Sequence, residues 1–292
     1  MMYGKMSSFM AANHSMRGVL WMGGAVLSFS AMAIGVREML RHMAPFEVLF
    51  VRSAVMLLIV LALLPRAGLA PLRTRHFGLH VWRNLFHFGG QWSWIFAIGA
   101  LPLATVFAIE FTMPVWTALL AFLFLKEKLS LPRMVMLACG VAGVLIILRP
   151  GAATIQPAAF VMLAGAFGYA AQMIYTKRLA ATDAPLAVLF WMPAIQAPLA
   201  LAAALPHWVA PRLADAPWML LLGVGSYTAH YCMMRALKIA DATVVVPVDF
   251  ARLPLIAVAG AFFYGEPFDA AVLVGAAVIF AGTYYSLSRE RR

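Results

Sequence analysis

The chain has 292 residues, of which 64% are hydrophobic and 11% charged, with a mean hydropathy of +0.89. That balance excludes a soluble globular domain and a disordered polar chain, because too few polar residues remain to cover a water-facing surface. The net charge of +11 would suit a nucleic-acid binder, but the basic residues lie in short gaps between apolar runs and not along one stripe.

From the N-terminus, ten apolar stretches fill the chain, at 18–35, 45–64, 79–99, 101–125, 134–148, 157–175, 185–205, 217–234, 242–264 and 270–287. Most reach the roughly 20 residues that a helix needs to cross a hydrocarbon core of about 30 Å. Backbone polar groups in lipid must be satisfied within the segment, and no alternating barrel pattern is present, so each stretch predicts a helix. The first follows Lys5 and Arg17 and has a secretory signal as its rival reading, but it is longer than the usual h-region of about 7 to 15 residues. Asn13, His14 and Ser15 spell a glycosylation sequon on the face that the charges make cytoplasmic, where it goes unused.

Span three is the most polar. Arg83, His87, Gln91, Trp94 and Ile98 recur at helical steps and draw one stripe, for which cavity lining is weighed against helix packing. His76 and His80 form an HxxxH pair at its start, but no cysteine or carboxylate nearby completes a zinc site, so no metal is expected. Tyr169, Gln172, Met173 and Thr176 share a face of span six, as do Tyr227, His230, Tyr231 and Met234 in span eight. Aromatic faces with few hydrogen-bonding groups suit a flat or amphipathic ligand. Cys139 and Cys232 lie inside spans without metal or disulfide spacing and read as small buried residues. Pro114, Pro193, Pro198, Pro247 and Pro254 interrupt spans four, seven and nine, which makes four and nine candidates for bending.

Sidedness follows from the loops. A cytoplasmic N-terminus places fifteen basic residues inside (Lys5, Arg17, Arg66, Arg73, Arg75, Lys126, Lys128, Arg133, Lys177, Arg178, Arg235, Lys238, Arg289, Arg291 and Arg292) and four outside (Arg37, Arg41, Arg149 and Arg212). This positive-inside bias predicts that both termini are cytoplasmic and that the membrane is the inner one.

The chain also resembles itself. Glu110 and Asp249, Phe111 and Phe250, Glu127 and Glu266, and Gly143 and Gly282 are each separated by 139 positions (249 minus 110, and so on). Halves at 1–150 and 151–292 hold five spans each, and an odd number of spans turns the second copy upside down. Glu127 accordingly falls on the basic side and Glu266 on the acidic side. Inverted repeats are a construction of secondary transporters, with the site near the midplane between the halves. The predicted fold is therefore all-α and integral to the membrane, with ten transmembrane helices arranged as two inverted five-helix repeats.

The Ala-Leu start of each half-signature at Ala100 and Ala236, Pro114, the Leu125-Lys126-Glu127 and Tyr264-Gly265-Glu266 triplets, and the glycines of the final helices resemble the EamA module. Two such modules make a transporter of the drug/metabolite transporter superfamily. Pro267 departs from the basic or polar residue that commonly follows the glutamate. The resemblance implies an exporter or importer of small organic metabolites, amino acids among them. Exporters of aromatic amino acids are a neighbour, although no motif fixes that substrate.

Ionisable residues at membrane depth are functional candidates by default. Glu110 lies roughly 12 Å below one end of its span and Asp249 at similar depth from the other end of its own. The bland alternative is mutual neutralisation, Asp249 by Arg252 and Glu110 by Arg52, with Arg83 snorkelling to the interface. Three cations against two anions leave a surplus that favours a carboxylate-bearing substrate. The expected cavity residues are Arg83, His87, Gln91, Trp94, Glu110, Tyr169, Gln172, Tyr227, His230, Tyr231, Asp249 and Arg252. The expected activity is export of small amphipathic metabolites such as amino acids by alternating access, set against a lipid-modifying enzyme or an ion channel. No catalytic motif, selectivity-filter pattern or nucleotide-binding motif is present, so neither an enzyme nor a cofactor is expected. The partners expected are a small-molecule substrate and the lipid bilayer, with a homodimer contact as an alternative use of the glycine faces and no nucleic acid.

Overall fold

The computed structural model describes residues 2–125, 130–151, 156–179 and 182–290, and among them every regular element is helical. Twelve α-helices build ten crossings: α1 (Met2–Met39), α2 (Pro45–Ala67), α3 (Phe77–Ala100), α4 (Leu103–Glu110), α5 (Met113–Leu125), α6 (Leu131–Leu148), α7 (Pro157–Leu179), α8 (Pro185–Ala204), α9 (Ala216–Ile239), α10 (Ala242–Asp249), α11 (Arg252–Tyr264) and α12 (Ala270–Arg289). Crossings four and nine are each made of two short helices, α4 with α5 and α10 with α11. Eight stretches are both long and apolar enough to cross a membrane. The two other crossings, α3 and α9, have the length at 24 residues each but are diluted by polar side chains, the same ones that the stripes singled out.

Both broken crossings are interrupted where proline requires it. Pro114 cannot donate to the carbonyl of Glu110, nor Pro254 to that of Phe250, so the chain tightens by one turn just ahead of each proline. Thr112 N bonds Ile109 O and Ala251 N bonds Val248 O, both at 3.0 Å, where a continuous helix would reach one residue further back. In contrast α8 runs unbroken through Pro193 and Pro198. Capping fixes the ends that loops expose: Ser130 Oγ accepts from Arg133 N to start α6, and Asp269 accepts from Ala271 N to start α12.

The packing pairs elements across the repeats. α1 lies against α9 and its counterpart α7 against α3, while α2 meets α8 and α6 meets α12 about the same approximate twofold axis. The α6–α12 crossing is so close that a Cβ built on Gly143 would lie 2.6 Å from the carbonyl oxygen of Gly275, and one on Gly275 the same distance from that of Gly143. Small residues permit such approach in lipid, where packing must substitute for a hydrophobic drive. Ten crossings put both termini at one face, called here the terminal face. Gly143→Leu should therefore lower the melting temperature in detergent and cost about 1–3 kcal/mol, whereas Gly89→Leu, which meets nothing within 4 Å, should leave it near wild type.

Candidate functional site

The two breaks meet at the centre of the molecule. Phe111 and Phe250, equivalent by the repeat, stack with ring centroids 4.1 Å apart and planes inclined by 14°. The residue before each closes a short helix with a carboxylate, Glu110 on α4 and Asp249 on α10, and Arg252 opens α11 between them. Its guanidinium reaches Glu110 Oε1 at 3.2 Å and Asp249 Oδ2 at 2.8 Å. Phe29, Phe107 and Phe111 surround it, with Cζ 4.7 Å, 5.6 Å and 5.1 Å from their ring centroids. Trp94 Nε1 donates to the second Glu110 oxygen at 2.8 Å.

A pocket of about 90 Å³ adjoins this ion triad. Of the residues expected to line a cavity, His87, Gln91, Trp94, Glu110, Tyr169, Gln172, His230, Asp249 and Arg252 do line it, together with Phe29, Met32, Met113, Met173 and Met233. Tyr169 donates to Gln91 Oε1 at 3.2 Å, and the His87 ring stands 5.6 Å from Tyr169 and 5.8 Å from His230. Gln91 Nε2, Asp249 Oδ1 and Arg252 Nε are buried without a hydrogen-bond partner among the described residues. Two donor groups and one carboxylate oxygen are thus unspent at the pocket wall.

Three expected residues lie elsewhere. Arg83 neither snorkels nor lines this pocket: it is 4% exposed and donates to Thr176 Oγ1 at 3.0 Å and Asn84 Oδ1 at 2.9 Å. Tyr227 and Tyr231 stack on each other and pack against Met56, Leu189 and Met192, because their face of α9 is turned to α2 and α8. The anticipated pairing of Glu110 with Arg52 is also overturned. Arg252 takes Glu110, and Arg52 donates to Gln196 on α8 at 3.3 Å. Of the HxxxH pair, His80 Nε2 is engaged by Asp183 at 2.8 Å. Sequence reasoning placed Met173 on the face of span six that lines the pocket but missed Met32, Met113, Met233 and Gln196. The methionines carry no signal that separates a cavity wall from a core, and Gln196 is a lone amide in an apolar span.

Toward the terminal face the pocket shares Met113 and Met173 with a second cavity of about 640 Å³. It lies between α5, α6, α7, α10 and α12, and Arg133, Lys177, Arg178 and Glu290 line it where those helices reach that face. The opposite face is shut. There α4 packs on α11, and Glu266 joins three elements by pairing with Arg37 at 2.9 Å while accepting from Leu103 N, the first residue of α4, at 2.8 Å. Arg37 also donates to Leu101 O at 2.6 Å, His42 meets Asp215 at 2.9 Å, Glu47 accepts from Val209 N, and Arg149 pairs with Asp269. The backbone N–H of Arg212, and next the His42 ring, hold the Asp215 carboxyl below the ordinary carboxylate range.

Two inverted five-helix halves with a polar pocket where their broken crossings meet, and a larger cavity beside it, define a membrane transporter. The comparisons agree. Residues 16–149 and 156–288 each match the EamA-like transporter family, and the chain belongs to that family. It is 26% identical to an S-adenosylmethionine uptake transporter of Rickettsia bellii over 94% of both chains. Two riboflavin transporters are each 30% identical to it: that of Vibrio cholerae, covering 91% of both chains, and that of Rhizobium johnstonii, covering 94% of this chain and 92% of its own. One solved crystal structure superposes with a TM-score of 0.65 at 17% identity, covering 94% of this chain and 96% of the other, and shares the fold. The protein is a multi-pass membrane transporter of small molecules and not an enzyme.

Two outcomes follow from the ion network. Arg252→Met strands two carboxylates and should cost about 3–5 kcal/mol of stability, whereas Glu110→Gln leaves Arg252 with Asp249 and should cost distinctly less; melting of both variants in detergent checks the order. Because the Asp215 carboxyl titrates below its unfolded value of about 3.9, its contribution is present above that pH and lost as pH falls through the lower folded value. Hydrogen exchange across residues 208–216 should accelerate over that acid range in the wild type, and Asp215→Asn should remove the pH dependence.

Proposed function

We propose that the chain is a secondary transporter of the cytoplasmic membrane, with both termini inside, and that the conformation described is open to the cytoplasm. The observation that carries this reading is the adjacency of the central pocket to the cavity of about 640 Å³ at the terminal face, the two sharing Met113 and Met173 as walls, while ion pairs tie the other face together. The positive-inside bias supports the sidedness. In alternating access the closed end opens as the open end shuts, with the site fixed between the halves.

The proposed substrates are small, flat, amphipathic metabolites. Tyr169, Trp94, His87 and His230 offer ring faces, and Gln91 and Asp249 offer unspent polar atoms, a combination that grips an aromatic ring bearing a polar group. Both S-adenosylmethionine and riboflavin, the molecules for which the relatives are named, carry such rings. The word uptake in one of those names favours import. Export of amino acids, favoured by the sequence, is the second reading, supported by a pocket of amino-acid scale beside the ion triad.

Reconstitution of the purified chain in liposomes tests both. Counterflow of labelled S-adenosylmethionine, riboflavin and phenylalanine should be saturable for at least one of them, and a cysteine in place of Met113 should react with an impermeant thiol reagent only from the side of the termini. Labelling of that cysteine from the opposite side alone would reverse the sidedness. A folded protein that moves none of the three would rule out this substrate class.

A further inference from the structure

We propose that Arg52 is an anion receptor behind the central pocket, and that the transported substrate carries a carboxylate that binds it. This deepens the transport reading and rests on it. Arg52 is 1% exposed, roughly two turns into α2, and no carboxylate lies within ion-pair reach of it among the described residues. Its one hydrogen bond, from Nη1 to Gln196 Oε1 at 3.3 Å, is long and to a neutral amide, and Nε and Nη2 have no partner among the described residues. A guanidinium at membrane depth with two unused donor groups lacks its counter-ion, since the cost of such burial is offset only by pairing and hydrogen bonding.

The surroundings do not supply that counter-ion, and they connect Arg52 to the pocket. Gln196 turns its other end, Nε2, to His87 Nδ1 at 2.9 Å, and His87 lines the pocket. Two side chains, Gln196 and His87, therefore stand between the guanidinium and the ligand space. Arg83, held by Thr176 and Asn84, adds a second cation on the same side with no carboxylate partner among the described residues. The triad at the other end of the pocket has the opposite sign, because Glu110 and Asp249 outnumber Arg252 by one charge. A zwitterion laid between the two ends would put its cationic group toward Asp249 Oδ1 and its carboxylate toward Arg52. There the planar fork of Nε and Nη2 matches two carboxylate oxygens once the bonded pair of Gln196 and His87 side chains swings aside.

The test uses the full-length protein in detergent and in liposomes. Gln196→Glu places a carboxylate within reach of Arg52, and it should raise the melting temperature of the ligand-free protein and abolish transport of carboxylate-bearing solutes. Arg52→Gln removes an unpaired cation and should leave the ligand-free melting temperature unchanged or higher. Lower melting temperatures in both variants would overturn the proposal, because they would mean that Arg52 is already satisfied in its place. For ligands, S-adenosylmethionine and phenylalanine are compared with their decarboxylated counterparts. A wild type that prefers the carboxylate, and an at least about tenfold rise in Kd in Arg52→Gln, the equivalent of one hydrogen bond to a charged group, are expected. Equal affinity for acid and decarboxylated forms, or binding unchanged in Arg52→Gln, would overturn the assignment and leave the transporter standing. A wild type that transports nothing would instead remove the transport reading, and the ligand-free melting comparison would still decide Arg52.

Discussion

A guanidinium buried at membrane depth is costly unless it is paired, and in this molecule the pairing of Arg252 joins the two repeats. The carboxylates that do so come from different halves, and each ends a helix of eight residues. Those helices stop because proline forbids the next hydrogen bond, so the prolines that break the crossings also deliver the carboxylates to the midplane. The C-terminal dipole of each short helix adds its negative end to the carboxylate it carries. The stack of Phe111 on Phe250 then fixes how the two breaks cross. Without Arg252 the meeting of α4, α10 and α11 would bring two carboxylates together, and the pocket beside them would have no defined wall.

That junction sits on the approximate twofold axis, yet the two ends of the molecule differ. On one side of it α4 closes on α11; on the other, the equivalent helices α5 and α10 border an open cavity. The closed end relies on ion pairs that are partly exposed, with side-chain accessibilities of 21% and 13% for Arg37 and Glu266 and of 45% and 32% for Arg149 and Asp269. Pairs of that kind contribute about 0–1 kcal/mol each. A closure assembled from a few such contacts holds one face together without a large barrier to release, whereas the close α6–α12 crossing at Gly143 and Gly275 does not need to part. Weak ties at the end that must open and tight small-residue packing where the halves stay together are consistent with rocking of one half on the other.

Much of this was legible in the sequence because lipid leaves few options. Ten apolar runs had to be helices, the odd number per half had to invert the copy, and a polar stripe such as Arg83-His87-Gln91-Trp94 had to face protein. The stripe is indeed buried along its whole length. Depth could be counted along each helix, but azimuth between helices could not. Arg52 and Arg252 were equally plausible partners for Glu110 by depth, and only the packing of α4 on α11 decides for Arg252. The same gap misplaced Tyr227 and Tyr231, whose spacing draws a proper stripe that happens to face α2 and α8. Arg83 was expected to reach water along its own stem, but Thr176 on α7 and Asn84 one residue along its own helix catch it first.

The repeat also explains why there is one site and not two. Arg252 lies 139 positions after Met113, so the duplication that pairs Glu110 with Asp249 pairs this arginine with a methionine (252 minus 113). If both positions carried arginine, two cations would face two carboxylates across the axis and the centre would be neutral and symmetric. With methionine in one half, a net negative charge remains on the ion triad, and Met113 stands instead, with Met173, in the wall shared by the pocket and the larger cavity. Thioether side chains with three rotatable bonds can yield to a passing solute without moving the backbone. Recognition therefore falls to the groups that are held rigidly on the back wall, Trp94 through its bond to Glu110 and Gln91 through its bond from Tyr169. The loss of symmetry at a single pair of positions gives a doubled architecture one polar site, bordered by a deformable wall.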